Sequence, residues 1–238
     1  MRKIIQEDYK SIDIDILRAR AFHLWNGEAA ASSKLSEFFA KASDLFYRTA
    51  VPVCVVEDVT CAEFQLIYSG RGHNERKTPL SDLMTNEASY FLFAMTLGAD
   101  ACRHISDLFR QGDYLLGHFL DMICSEGIEI FADCITAKIY QKEVARGNLR
   151  QGDVVLRYSP GYCGWHVSGQ QMLHEHLQSR DIGITLTETF YMEPIKSISG
   201  VMIGGRAFMH RFKNDYPFCD ACHAKTCRKR LATVQSLK

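Results

Sequence analysis

The segment from Tyr114 to Arg146 contains no proline and keeps Leu116, Phe119, Ile123, Ile130, Cys134 and Ile139 at near-helical spacing. Gly147 follows as a natural stop. A single long helix is expected here, and the rest of the chain must supply surfaces against it. On this helix Glu126, Glu129 and Asp133 stand at i, i+3 and i+7, so three carboxylates share one face. They form either a solvated face or a ligand-facing acid at the edge of a cleft.

Strand signals surround the helix. VPVCVVEDV (51–59) is β-branched and bounded by a proline. YFLFAMTLG (90–98) is a compact apolar run, read as a buried strand. Val154 to Arg157 make a short strand, and IGITLTETF (182–190) and EPIKSISGVMIGG (193–205) read as two more. Further helices are expected over residues 8–48, in two pieces broken near Asn26-Gly27, and over 99–111. A loop with a short helix is expected over 70–88. Ser168-x-x-Gln171 resembles a capping box that starts a helix to about Gln178. The fold class is α+β, a twisted and mainly antiparallel sheet with helices packed around it. Three regions are distinguished within what is expected to be one compact domain: 1–84, 85–212 and a cysteine-bearing basic tail, 213–238.

Composition narrows the function. Lys plus Arg and Asp plus Glu stand at 28 each, which argues against a general nucleic-acid binder. No apolar run reaches the ~18 residues of a membrane helix. MRKIIQEDYK turns polar too soon for a signal peptide, so a cytoplasmic protein is expected. The nine cysteines are an odd number, and Cys54, Cys61, Cys102, Cys124 and Cys134 lie singly in apolar contexts, as buried reduced thiols do.

RYSPGYCGWHVSGQQ (157–171) carries the densest chemistry. Ser159-Pro160-Gly161-Tyr162 has the type II turn pattern, and glycine lets a ligand approach the turn's backbone closely. Arg157 presents a planar fork suited to a carboxylate. Tyr158, Tyr162 and Trp165 offer flat surfaces for an aromatic base or a sulfonium cation. A turn with buried aromatics would look the same. His166, His174, His176 and His210 lack the spacing of a metal site. No Cys/His or Ser/His/Asp nucleophile signature, GxGxxG or P-loop stands out.

The tail differs. Cys219-x2-Cys222-x4-Cys227, with His223 between, suits tetrahedral zinc or an iron–sulfur cluster. A [4Fe–4S] cluster held by Cys219, Cys222, Cys227 and Cys163 is the first expectation, with zinc as the other.

RYSPGY followed by GW, then LTETFYMEPIKSISG, resembles the activation domain of cobalamin-dependent methionine synthase. TLG (96–98), GDYLLGHFLD (112–121) and EIFAD (129–133) are similar to its free-standing members. The resemblance covers residues 85–205 well and the first 80 poorly. It implies binding of S-adenosylmethionine and docking on a corrinoid protein whose cobalt has been oxidised to the inactive cob(II) state. With one electron from a donor protein, the methyl group would pass to cob(I)alamin. The resemblance implies that Arg157 holds the methionyl carboxylate and that Ser159, Gly161 and Tyr162 line the turn. Glu129 would sit near the ligand's positive end, and Tyr191, Ser197 and Ser199 would form a second wall. The family's acidic contact near the N-terminus has no counterpart placed here. The chain lacks the Asp-x-His-x-x-Gly cobalamin motif, so cobalamin would be carried by a separate subunit in a transient complex. The rival readings are a small-molecule methyltransferase using S-adenosylmethionine and a non-enzymatic metal-binding adaptor.

Overall fold

The computed structural model describes residues 1–7, 16–17, 20, 33–211 and 216. Its centre is a five-stranded sheet in the order β1-β2-β3-β7-β4, antiparallel at every pairing. These strands are β1 (Arg2–Gln6), β2 (Val53–Val59), β3 (Ser89–Thr96), β4 (Asp153–Tyr158) and β7 (Ser197–Arg206). The two-residue strands β5 (Thr185–Leu186) and β6 (Met192–Glu193) form a separate small ribbon. The sheet joins residues from both ends of the described chain.

β3 lies at the middle and is buried from Tyr90 to Thr96. Its continuous apolar run follows from coverage on both faces, which removes the alternation that a half-solvated strand would show. On one face Phe91, Phe93 and Met95 pack with α1 (Ser33–Thr49), α4 (Ala99–Arg110) and α5 (Tyr114–Ala145). On the other, Tyr90, Leu92 and Ala94 pack with α2 (Cys61–Ser69), α3 (Pro79–Leu83) and α6 (Gly169–Leu177). The expected α+β class with a mainly antiparallel sheet is therefore what the chain forms.

α5 is the expected long helix, 32 residues and thus about 48 Å. Glycine inside a helix costs about 1 kcal/mol relative to alanine. Gly127 is there because a Cβ would stand 2.7 Å from the Phe46 ring of α1. That ring is fully buried, so the bare position lets α1 and α5 close on each other.

Local rules explain the helix starts on the other face. α2 is capped by Thr60, whose Oγ1 accepts from Glu63 N at 3.2 Å while Glu63 Oε2 accepts from Thr60 N at 2.7 Å. α3 begins with Thr78 as cap and Pro79 in the first turn.

Two local expectations are corrected. IGITLTETF is a strand only at Thr185–Leu186. Thr187 N donates to Tyr191 O at 2.9 Å, and Thr187 Oγ1 accepts from Tyr191 N at 3.1 Å. The threonine hydroxyls close a hairpin tip, so their alternation imitated a strand. Ser168 does precede a helix, but its side chain makes no cap bond. Its Oγ is 2.9 Å from His166 Nδ1 instead.

The first helical piece expected over 8–48 falls largely outside the described residues, and the second begins at Ser33. Burial pushes the Cys54 and Cys124 thiols up to about 12, as inert core thiols require. Among the described residues Cys54, Cys61, Cys102, Cys124 and Cys134 are free thiols. Among the described residues, no helix is long and apolar enough to cross a membrane.

Candidate functional site

The turn forms at the end of β4. Tyr162 N donates to Ser159 O at 3.2 Å, and Gly161 has φ +91°, the left-handed value that the third position of a type II turn demands. A side chain there would be strained, and a Cβ on Gly161 would meet nothing within 4 Å. The space over the backbone is open.

Trp165 holds the turn from below. It is 1% exposed and packs edge-on to Phe64 at 5.7 Å and tilted against Tyr68 at 5.6 Å. Its carbonyl accepts from Gly161 N at 2.7 Å. The loop before α3 adds a second tie: Glu75 N donates to Gly164 O at 3.1 Å, and His166 N donates to Asn74 Oδ1 at 2.9 Å. Trp165 and Tyr158 are therefore core residues, not ligand-facing surfaces. Tyr158 is buried with its hydroxyl 2.8 Å from His210 Nδ1. Of the three aromatic rings in the stretch, Tyr162 alone is exposed, at 50%.

Alternation along β4 sends Arg157 to the α5 face, with Val155. There its Nη2 lies 3.0 Å from Glu129 Oε2 and 2.8 Å from Asp133 Oδ1. Arg157 Nη1 is buried and has no acceptor among the described residues. Two of the three acids on the helix face thus meet the arginine of the turn, a contact that only the packing of sheet on helix creates.

Ser197 and Ser199 lie on the other face of the sheet. Ser197 Oγ is 2.9 Å from Thr96 Oγ1 and 2.6 Å from Pro194 O. Ser199 donates to Gln170 Oε1 at 2.6 Å, tying β7 to α6. Both hydroxyls are buried and committed. Tyr191 is 71% exposed at the base of the hairpin tip.

Cys163 is partly buried with φ +53°. Cys219, Cys222 and Cys227 lie outside the described residues, and among the described residues no group of three His, Cys, Asp or Glu could hold a metal.

Two features escaped the sequence reading. Arg20 Nη2 stands 2.9 Å from Asp133 Oδ2, a pairing across more than a hundred residues that no spacing announces. A cavity of ≈ 790 Å³ lies beside α6, lined among others by Arg71, Gln171, His174, Arg180 and Phe190 and by none of the turn's residues. Arg71 bonds Gln171 and stands over the Phe190 ring at 5.6 Å. His174 backs this cavity, its Nδ1 2.5 Å from Ser179 Oγ; burial pushes it down to about 4, so it is neutral near pH 7.

The fold matches a solved structure described as "Crystal Structure of the MetH Reactivation Domain bound to AdoHcy", with TM-score 0.56 and 15% identity, over 91% of this chain and 80% of that one. No curated protein matches the chain. The sequence model for "Vitamin B12 dependent methionine synthase, activation domain" matches residues 65–212, more than half of the chain, from within α2 through the turn to the end of β7. The chain belongs to the family of vitamin B12-dependent methionine synthase activation domains.

Proposed function

We propose that this protein binds S-adenosylmethionine at the Arg157–Tyr162 turn and presents it to a corrinoid carried by another protein, which it reactivates. The observation that carries the reading is an arginine near the end of β4, held by Glu129, followed in the chain by a turn whose glycine leaves its backbone open. The residues fit such a ligand in three respects. Arg157 has a buried Nη1 still lacking an acceptor, which a carboxylate would supply. Gly161 leaves its outer side open for close approach. Glu129 places a carboxylate beside Arg157, where it would favour the ligand's positive charge.

When bound, S-adenosylmethionine supplies an electrophilic sulfonium methyl, which a corrinoid reduced by a donor protein accepts. The chain's own work is positioning. Holding a methyl group in line with its acceptor removes translational and rotational freedom from the reaction and needs no side-chain nucleophile. Arg157 and the turn fix one end of the ligand. The rings of Tyr162 and Tyr191 are exposed and free to meet a docking partner. Ser197 and Ser199 act behind the site, through Thr96 and Gln170, by fixing β7 and α6.

Titration calorimetry with S-adenosylmethionine tests this. Saturable binding is expected for the native chain and a loss of tenfold or more for Arg157→Ala, about 1.4 kcal/mol or above, in the range of a charge-assisted pair. Undiminished binding by Arg157→Ala would remove the turn from the site.

A further inference from the structure

Arg157 is already engaged. Its Nη2 is shared by Glu129 and Asp133, at 3.0 and 2.8 Å. Asp133 is itself divided: Oδ1 faces Arg157, and Oδ2 faces Arg20 at 2.9 Å. One carboxylate therefore bridges two guanidinium groups from opposite parts of the chain. Glu129 has no second cation of this kind among the described residues.

This asymmetry matters for a ligand that carries its own carboxylate. A carboxylate that takes both ends of the guanidinium fork uses the open Nη1 together with the Nη2 that Asp133 holds, and it brings a third negative charge to an arginine that already faces two. Asp133 can leave Arg157 without becoming an unpaired charge, because Arg20 remains bonded to it. We propose that Asp133 is a latch on Arg157, released to Arg20 when a ligand carboxylate takes its place. Asp133 and Arg20 then set how strongly the site favours ligands with a carboxylate, and they act as positioning residues.

The inference rests on the ligand reading above, and the test separates the two. Calorimetry compares S-adenosylmethionine with 5′-methylthioadenosine, which lacks the amino-acid end, on the native chain, Asp133→Asn and Arg20→Gln. Asp133→Asn keeps an acceptor for Arg157 but removes the competing charge. It is expected to tighten S-adenosylmethionine about threefold, the scale of a partly exposed ion pair. Arg20→Gln leaves Asp133 wholly to Arg157 and is expected to weaken it by a similar factor. Neither should move 5′-methylthioadenosine. Native-like S-adenosylmethionine affinity in both variants, or equal shifts for the two ligands, would overturn the latch while leaving the site in place. No S-adenosylmethionine binding by the native chain or by Asp133→Asn would overturn the ligand reading and the latch with it. Binding gained only in Asp133→Asn would support both.

Discussion

Gly200→Ala is expected to cost about 3 kcal/mol or more of stability and to leave little folded protein. Gly200 sits in β7, where β4 ends and the turn begins. A Cβ there would overlap the Tyr158 carbonyl oxygen, 2.9 Å from the Tyr158 carbonyl carbon and 3.1 Å from Ser159 Cα. These are backbone atoms, so no rotamer change relieves the overlap. The strand must move, and it is held by pairing from Asp153 to Tyr158. The same close approach brings the start of the turn down onto the sheet, which is the reason β7 carries a glycine at this position. Urea unfolding followed by circular dichroism measures the effect. A Gly200→Ala protein with the native midpoint would show that this approach is not what fixes the turn.

Trp165→Ala is expected to cost about 3–5 kcal/mol, the usual range for removing a large buried aromatic ring. Phe64, Tyr68 and the bare Gly169 close around Trp165, and a Cβ on Gly169 would stand 2.9 Å from its Cδ1. The loss should reach the ligand as well. The Trp165 carbonyl holds Gly161 N, so an unanchored residue 165 loosens the turn above it. Trp165→Phe should recover most of the stability, since the indole Nε1 makes no hydrogen bond among the described residues. Comparing unfolding midpoints and S-adenosylmethionine affinities for the two variants checks both parts. A Trp165→Ala protein as stable as Trp165→Phe would show that the ring is dispensable to the turn.

The parts of this molecule that could be read from sequence are those with strong local causes. The long helix has sustained periodicity. β3 is an unbroken apolar run because helices cover both its faces. The turn follows from Pro160 and Gly161. α2 went unread although Thr60 and Glu63 signal its capped start. The segment 182–190 misled because threonines that close a hairpin tip alternate as strand residues do.

The site was legible in its residue types but not in its pairings. The arginine of the turn and the acidic helix face could each be named. That Glu129 and Asp133 reach Arg157, and that Arg20 reaches Asp133, depends on how α5 crosses the sheet and on a contact spanning 113 residues of sequence. Ser197 and Ser199 show the complementary limit. A period of two places them on one face together but does not say which face, and their hydroxyls turn away from Arg157 toward Thr96 and Gln170.

The most direct test is a crystal structure of the full chain grown with S-adenosylmethionine. The account predicts ligand density against Gly161, with the methionyl carboxylate on Arg157 and the sulfonium on the side of Glu129. Density in the cavity between Arg71 and Arg180, with the turn unliganded, would contradict it.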